Sequence, residues 1–243
     1  MLFFALLAAS CTDEKSETAE LHWTYSGETG PEHWGNLEPE YALCETGLQQ
    51  SPVNFNNATA NNALPILTFD YHAASGTLRS NGHALQFDYP PGSKVSIDST
   101  DYTLKQFHFH TPSEHGLGLI AWPLEMHLVH QHADGKLVVV GVLFHESETE
   151  SDFLAQFLEK IEMASLEVEV DDVNAAATLP SNKSYYAYEG SLTTPPCSEG
   201  VTWRVLRTSI PASQEQLSAI TRVFIENSRP LQALGSRTIQ SSP

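Results

Sequence analysis

The sequence predicts a mainly β (α+β) fold, a single domain in which strands carry the core and short helices lie at the periphery. Three observations predict it. The chain has 243 residues, the length of one large domain or two small ones. Of these, 41% are hydrophobic and 17% charged, enough apolar material for a core and too little charge for a disordered chain. Between Ile66 and Leu143, short segments alternate apolar and polar residues. Turn signals separate them at Asn81-Gly82, Pro90-Pro91-Gly92 and Asp134-Gly135.

The N-terminus comes first. Residues 1–10, MLFFALLAAS, are apolar and end in small residues, which reads as an export signal without its basic start. They are too short to span a bilayer, which takes about 20 apolar residues. Cys11 follows Ala8-Ala9-Ser10, the setting of a lipidated bacterial lipoprotein cysteine; removal with a plain cleaved signal is the alternative. Residues 11–20 are a polar tether, and residues 21–243 the folded domain. The expected location is the periplasm, with a membrane anchor if Cys11 carries lipid. With Cys11 cleaved off or lipidated, Cys44 and Cys197 are the one pair left for an intramolecular disulfide.

The elements follow in order. From Leu21 to Pro65 the chain is rich in Gly, Pro, Asn and Trp without periodicity, so it wraps the domain irregularly. Tyr102–His110 and Leu124–His132 alternate as strands. Leu137–Phe144 (LVVVGVLF) is an apolar run that fits a strand buried on both faces. Glu150–Met163 places Phe153, Leu154, Phe157, Leu158 and Ile161 at helical spacing. Pro211–Asn227 reads as a second helix, with Ser213 and Gln216 in capping-box spacing and Leu217, Ile220, Val223 and Phe224 on one face.

Charge excludes one class of function. Twelve basic against 30 acidic residues give a formal net charge of -18, with no basic cluster. Nucleic-acid phosphates are repelled by such a surface, whose acidity serves solubility.

Histidines carry the chemistry. In YTLKQFHFH, alternation puts Leu104, Gln106, His108 and His110 on one face and Lys105, Phe107 and Phe109 on the other. In LEMHLVHQH, Glu125, His127, Val129 and Gln131 share a face, opposite Met126, Leu128, His130 and His132. If the two strands are neighbours, His127 joins His108 and His110 in a three-histidine site. A fourth tetrahedral position is then open, as in catalytic zinc. Imidazole donors favour Zn2+ over metals that prefer softer ligands. Gln106 and Glu125 each precede a histidine by two residues on its own face and suit the free ring nitrogens. Spacing alone leaves His130 and His132 as a competing pair.

Several motifs together resemble the alpha-class carbonic anhydrases. They are QFHFH with the following SEH, LEMHLVH, GSLTTPP with VTW, QSPV (Gln50–Val53), SNGHA (Ser80–Ala84) and GPEHWG (Gly30–Gly35). The resemblance runs from His22-Trp23-Thr24-Tyr25 to Ser236-Arg237-Thr238-Ile239. It implies a central twisted, mostly antiparallel sheet with zinc at the base of a conical cleft. It assigns the metal to His108, His110 and His127, leaving His130 and His132 structural or exposed. It implies reversible hydration of carbon dioxide to bicarbonate by zinc-bound hydroxide. Thr193 would accept the hydroxide's hydrogen and donate its own to Glu114. Val129, Val139, Leu192, Thr194, Val201 and Trp203 would line the substrate pocket. His83 would shuttle the proton, with Tyr25, Asn81 and Gln86 along the water path; many relatives carry Asn where Gln86 stands. The implied partners are small molecules. Retention of all three ligand histidines argues against a carbonic-anhydrase-related protein that binds without catalysing.

Overall fold

The computed structural model of the chain describes residues 22–161, 167–223 and 226–243. The expected export signal, the tether and Cys11 lie outside the described residues, as do Met163 and Phe224 of the two expected helices. Among the described residues, no helix is long and apolar enough to cross a membrane.

A 13-stranded sheet organises the domain. Its strands are β1 (Thr59–Ala60), β2 (Thr68–Asp70), β3 (Ala74–Ser80), β4 (Leu85–Asp88), β5 (Lys94–Ile97), β6 (Thr100–His110) and β7 (Leu124–Gln131). They continue with β8 (Leu137–Glu146), β9 (Val168–Val173), β10 (Tyr185–Ser191), β11 (Glu199–Leu206), β12 (Ile210–Ala212) and β13 (Gln240–Ser241). The main path runs β1-β13-β10-β11-β8-β7-β6-β4-β3-β9. Pairing is antiparallel except at β1–β13, β8–β11 and β8–β12. The mostly antiparallel expectation therefore holds.

Among the described residues, five short α-helices lie outside the sheet: α1 (Trp34–Leu37), α2 (Leu43–Thr46), α3 (Asp152–Ala155), α4 (Leu158–Ile161) and α5 (Gln214–Val223). The helix expected over 150–163 is two, broken at Gln156–Phe157. Gln156 leaves the helix there, and its Oε1 accepts the Asn174 N–H at 3.2 Å. Its apolar stripe is kept, since Phe153, Leu154, Phe157 and Ile161 are all buried. The second expected helix starts at Gln214, not Pro211, because residues 210–212 pair with β8. The capping box is real: Ser213 N donates to Gln216 Oε1 at 3.1 Å, and Gln216 N to Ser213 Oγ at 3.3 Å.

Strand alternation builds two different faces. Leu124, Met126 and Leu128 of β7 and Val138, Val140, Val142 and Phe144 of β8 enter the main core, beneath the helices. Val139, Leu143, Val201, Trp203 and Val205 form a second apolar cluster on the other face. Glu125 and His127 lie on that second face. The expected alternation of β6 fails at one point. A bulge at Lys105 places Leu104 opposite His130 while Gln106 stands opposite Val129. Leu104 therefore joins Phe107 and Phe109 in the main core, not Gln106 on the histidine face.

Candidate metal centre

The register of β6 and β7 assembles the site. His108 stands directly opposite His127, and His110 opposite Glu125. One ring nitrogen from each of His108, His110 and His127 lies within 4.8 Å of the others. The remaining nitrogen of each ring is tied down. His108 Nδ1 meets Gln106 Oε1 at 2.8 Å, His110 Nδ1 the Asn227 carbonyl at 2.7 Å, and His127 Nε2 the Glu125 Oε1 at 3.0 Å. Each acceptor holds an N–H, so the lone pairs of His108 Nε2, His110 Nε2 and His127 Nδ1 face one another.

Two further observations fit a metal. His110 Nε2 is buried without any hydrogen-bond partner, an arrangement that costs free energy unless something binds it. Burial also keeps the rings neutral, as metal ligands must be. It lowers His110 to about 4, with the Asn227 carbonyl opposing. Burial likewise takes His108, itself only half-buried, well below the usual histidine value, and it lowers His127 against the pull of Glu125. Three imidazole donors suit catalytic zinc, which keeps its fourth position for a ligand that the protein does not supply. A second group, His115, Glu125 and His127, is also close-set. Its atoms already bond one another, His115 Nδ1 to Glu125 Oε1 at 2.7 Å and Glu125 to His127, so it offers no free donors.

Glu114 follows the metal strand. Burial, the largest influence, pushes its carboxyl up to about 7, while His127, the Arg229 N–H and the neighbouring Thr193 hydroxyl draw it down. Oε1 accepts the Arg229 N–H at 2.9 Å. Oε2 lies 3.9 Å from His127 Nδ1 and has no partner within direct hydrogen-bonding distance. Thr193, 5% exposed, lies beside it.

The comparison with known proteins decides the family. A family model described as eukaryotic-type carbonic anhydrase matches residues 29–243. The chain belongs to the alpha-class carbonic anhydrases. A carbonic anhydrase of Pectobacterium carotovorum is 38% identical over 242 residues, 98% of each chain. A hyperthermostable carbonic anhydrase from a hydrothermal vent chimney has a TM-score of 0.87 at 39% identity, covering 91% of this chain and 100% of its own. The alpha-carbonic anhydrase of Thermovibrio ammonificans, solved with the inhibitor sulfanilamide, has a TM-score of 0.85 at 38% identity, covering 90% and 98%. This protein is a carbonic anhydrase, a lyase whose family hydrates carbon dioxide.

In this carbonic anhydrase the other sequence-predicted residues take the following places. Val139, Val201 and Trp203 are buried in the second apolar cluster, with Val129 and Leu192 packed against it. Trp203 brings its ring centroid within 4.8 Å of that of His127, and its Nε1 donates to the Ser191 carbonyl at 3.0 Å. Thr194 takes the Cys197 N–H on its carbonyl at 2.8 Å. His83 lies flat on Trp23, centroids 3.4 Å apart, with His22 on its other neighbour position at 4.6 Å. Burial and then His22 lower it to about 4. The Tyr25 hydroxyl is buried without a partner, and burial, then Glu114, raises it. Asn81 Nδ2 donates to Gln86 Oε1 at 2.9 Å.

Cys44 and Cys197 are disulfide-bonded across 153 residues. His130 is wholly buried in the main core face, its Nε2 2.8 Å from the Tyr71 hydroxyl. His132 is half-buried and pairs with Asp134 at 2.8 Å.

Sequence reasoning missed three residues. Asn227 holds His110 by its carbonyl, and its side-chain amide donates to the carbonyls of His83 and Phe109 at 3.0 and 2.9 Å. His115 links Glu125 to the Tyr188 hydroxyl, 2.6 Å from its Nε2. Buried Arg229 ties Gln50, Ser51 and Cys44 by hydrogen bonds of 2.8 to 2.9 Å, while its own N–H reaches Glu114. Asn227 works partly through its main chain, which leaves no sequence signal. His115 did have one, its place directly after Glu114 in SEH.

Proposed function

We propose that this carbonic anhydrase hydrates carbon dioxide reversibly with Zn2+ held by His108, His110 and His127, and that His83 exports the proton. The observation that carries the reading is the buried, unpartnered His110 Nε2, set among two further neutral imidazoles whose other nitrogens are tied. Zinc held there would bring the pKa of its water to about 7, the magnitude characteristic of carbonic anhydrases themselves, and so supply hydroxide at neutral pH.

The chain's residues do the rest. Thr193 has a hydroxyl that both donates and accepts, whereas an ionised Glu114 only accepts. With its hydroxyl donating a hydrogen bond to the Glu114 carboxylate, Thr193 would accept a hydrogen bond from the nucleophile and so leave a lone pair of the nucleophile facing the substrate. The backbone N–H of Arg229 keeps Glu114 aimed. Val129, Val139, Leu192, Val201 and Trp203 give apolar carbon dioxide a dry wall, with Thr194 at its polar edge. His83 would accept the released proton by way of water lined by Tyr25, Asn81 and Gln86, with its ring turned out of the stacked position where burial and then His22 hold it to about 4.

The disulfide supports an exported protein. Residues 1–10 as signal, 11–20 as tether and Cys11 as lipid site complete that reading, which mass spectrometry of the mature N-terminus tests.

The enzymatic test is stopped-flow hydration of carbon dioxide by purified protein as prepared, after chelation, and after zinc return. Activity should vanish on chelation and return with one zinc per chain. Protein with stoichiometric zinc and no hydration would sink the reading. Sulfanilamide should inhibit the zinc-loaded form.

A further inference from the structure

Beside the histidine triad runs a line of polar side chains from β3, β4 and the turn between them that hold none of its rings. Gln86 stands opposite His108 in register, and Asp88 opposite Gln106. Arg79 stands opposite Gln86 on β3. Arg79 Nε donates to Asp88 Oδ2 at 2.8 Å, and Gln86 Nε2 to Asp88 Oδ1 at 2.5 Å. Asn81 Nδ2 donates to Gln86 Oε1 at 2.9 Å. Asn81 Oδ1 then accepts the backbone N–H groups of His83 and Ala84 at 2.9 and 2.8 Å.

Both ends of this line have fixed polarity. A carboxylate only accepts, and a backbone N–H only donates. Each amide between them has one donating and one accepting end. With Asp88 accepting at one end, a single orientation of Gln86 and Asn81 satisfies every partner. Reversing either amide sets donor against donor or acceptor against acceptor. The turn's other anchors, Asn81 N to the Ala84 carbonyl at 3.1 Å and Asn227 Nδ2 to the His83 carbonyl at 3.0 Å, do not orient the Asn81 side chain.

We propose that Asp88, held by Arg79, is a positioning residue for proton transfer: it is the acceptor that the orientation of Gln86 and Asn81, imposed from the other end by the His83 and Ala84 N–H groups, requires, and by completing the line it steadies the turn that carries His83. The proposal rests on His83 being the proton acceptor. Asp88 touches neither substrate nor metal ligand, and it acts only through the line of amides. An Asn at this place must turn its NH2 toward either Arg79 or Gln86, both of which donate. A Glu keeps the obligate acceptor.

The experiment compares wild type, D88N, D88E, H83A and D88N/H83A as zinc-loaded enzymes. It reads stopped-flow hydration in weak buffer, and hydrogen exchange of the His83 and Ala84 amides by NMR. For D88N, kcat in weak buffer should fall roughly threefold, as when the competent turn drops to about a third of the population. Its kcat/KM should stay at the wild-type value, because hydroxide is regenerated after bicarbonate leaves. Added imidazole should restore kcat, and the two amides should exchange faster. D88E should behave as wild type, and D88N should add nothing to H83A. A slow H83A beside a D88N with wild-type kcat and exchange overturns the role of Asp88 and leaves the shuttle standing. An H83A that is not slowed in weak buffer overturns the shuttle reading itself. Loss of kcat/KM in D88N, or an equal loss of kcat in D88E, overturns the positioning role in favour of general damage.

Discussion

Glu125 holds more of the site together than its single hydrogen bond to a ligand suggests. Its Oε1 meets His127 and His115, and its Oε2 takes the backbone N–H groups of Glu114 and His115, both at 2.9 Å. Burial alone would raise this carboxyl. His115 and His127 outweigh burial and hold it well below the usual range. Glu125→Gln replaces one acceptor oxygen with an NH2 that must face two of the four donors. Zinc affinity should fall about 10- to 100-fold, the usual effect of losing such a ligand-orienting partner; competition with a chelator measures it, and unchanged affinity would count against the role. At this scale the sequence was legible where partners lie two residues apart on one strand face, as with Gln106–His108 and Glu125–His127. It was not legible for Asn227 or Arg229, which reach Phe109, His110 and Glu114 from more than 100 positions away, partly through main-chain atoms.

At the scale of elements, the centre depends on how closely β7, β8 and β11 approach. Gly141 of β8 stands opposite His127 on one side and Val205 on the other. A Cβ there would come within 3.0 Å of Val205 Cγ2 and 3.1 Å of Glu125 Oε1. Gly141→Ala should destabilise the fold by about 1–3 kcal/mol, the range for overpacking, and loosen zinc by displacing Glu125. A urea midpoint and zinc affinity equal to wild type would show that β11 yields freely. Period-two patterning found β6, β7 and β8 because each buries one strict set of side chains per face. It failed at Leu104, because a bulge is a tertiary adjustment to the partner strand that leaves no mark in the alternation of YTLKQFHFH. The capping box at Ser213 marked the start of α5 better than the apolar stripe did. The stripe could not reveal that Pro211 belongs to an edge pairing.

For the whole molecule, buried histidines tie stability to pH. In the metal-free fold His83 and His110 are lowered to about 4 and His130 to about 3, from an ordinary 6.5, chiefly by burial. Between these values the unfolded chain binds more protons, so stability rises with pH there and is lost as pH falls. His108 and His127 act in the same direction. Glu114, raised to about 7 from 4.5, acts in the opposite one, since the folded state then holds the extra proton. Five histidines against one carboxyl set the net sign. The urea midpoint of zinc-free protein should therefore drop from about pH 7 to about pH 5. A flat or rising midpoint would mean that these rings accept protons within the fold. The disulfide adds a pH-independent contribution, at most about 5 kcal/mol for its 153-residue separation on a chain-entropy account.

The pairing of β6 with β7 also dictates an order of assembly. All three candidate ligands belong to one antiparallel pair joined by a single connection, a local contact that forms early. Thr193, Asn227 and Arg229 arrive from the distant C-terminal third, after the chain has closed long loops. During refolding a metal grip can thus exist before the nucleophile can be oriented. Zinc uptake should precede the return of hydration in a refolding time course, and simultaneous recovery of both would show that the grip waits for Asn227.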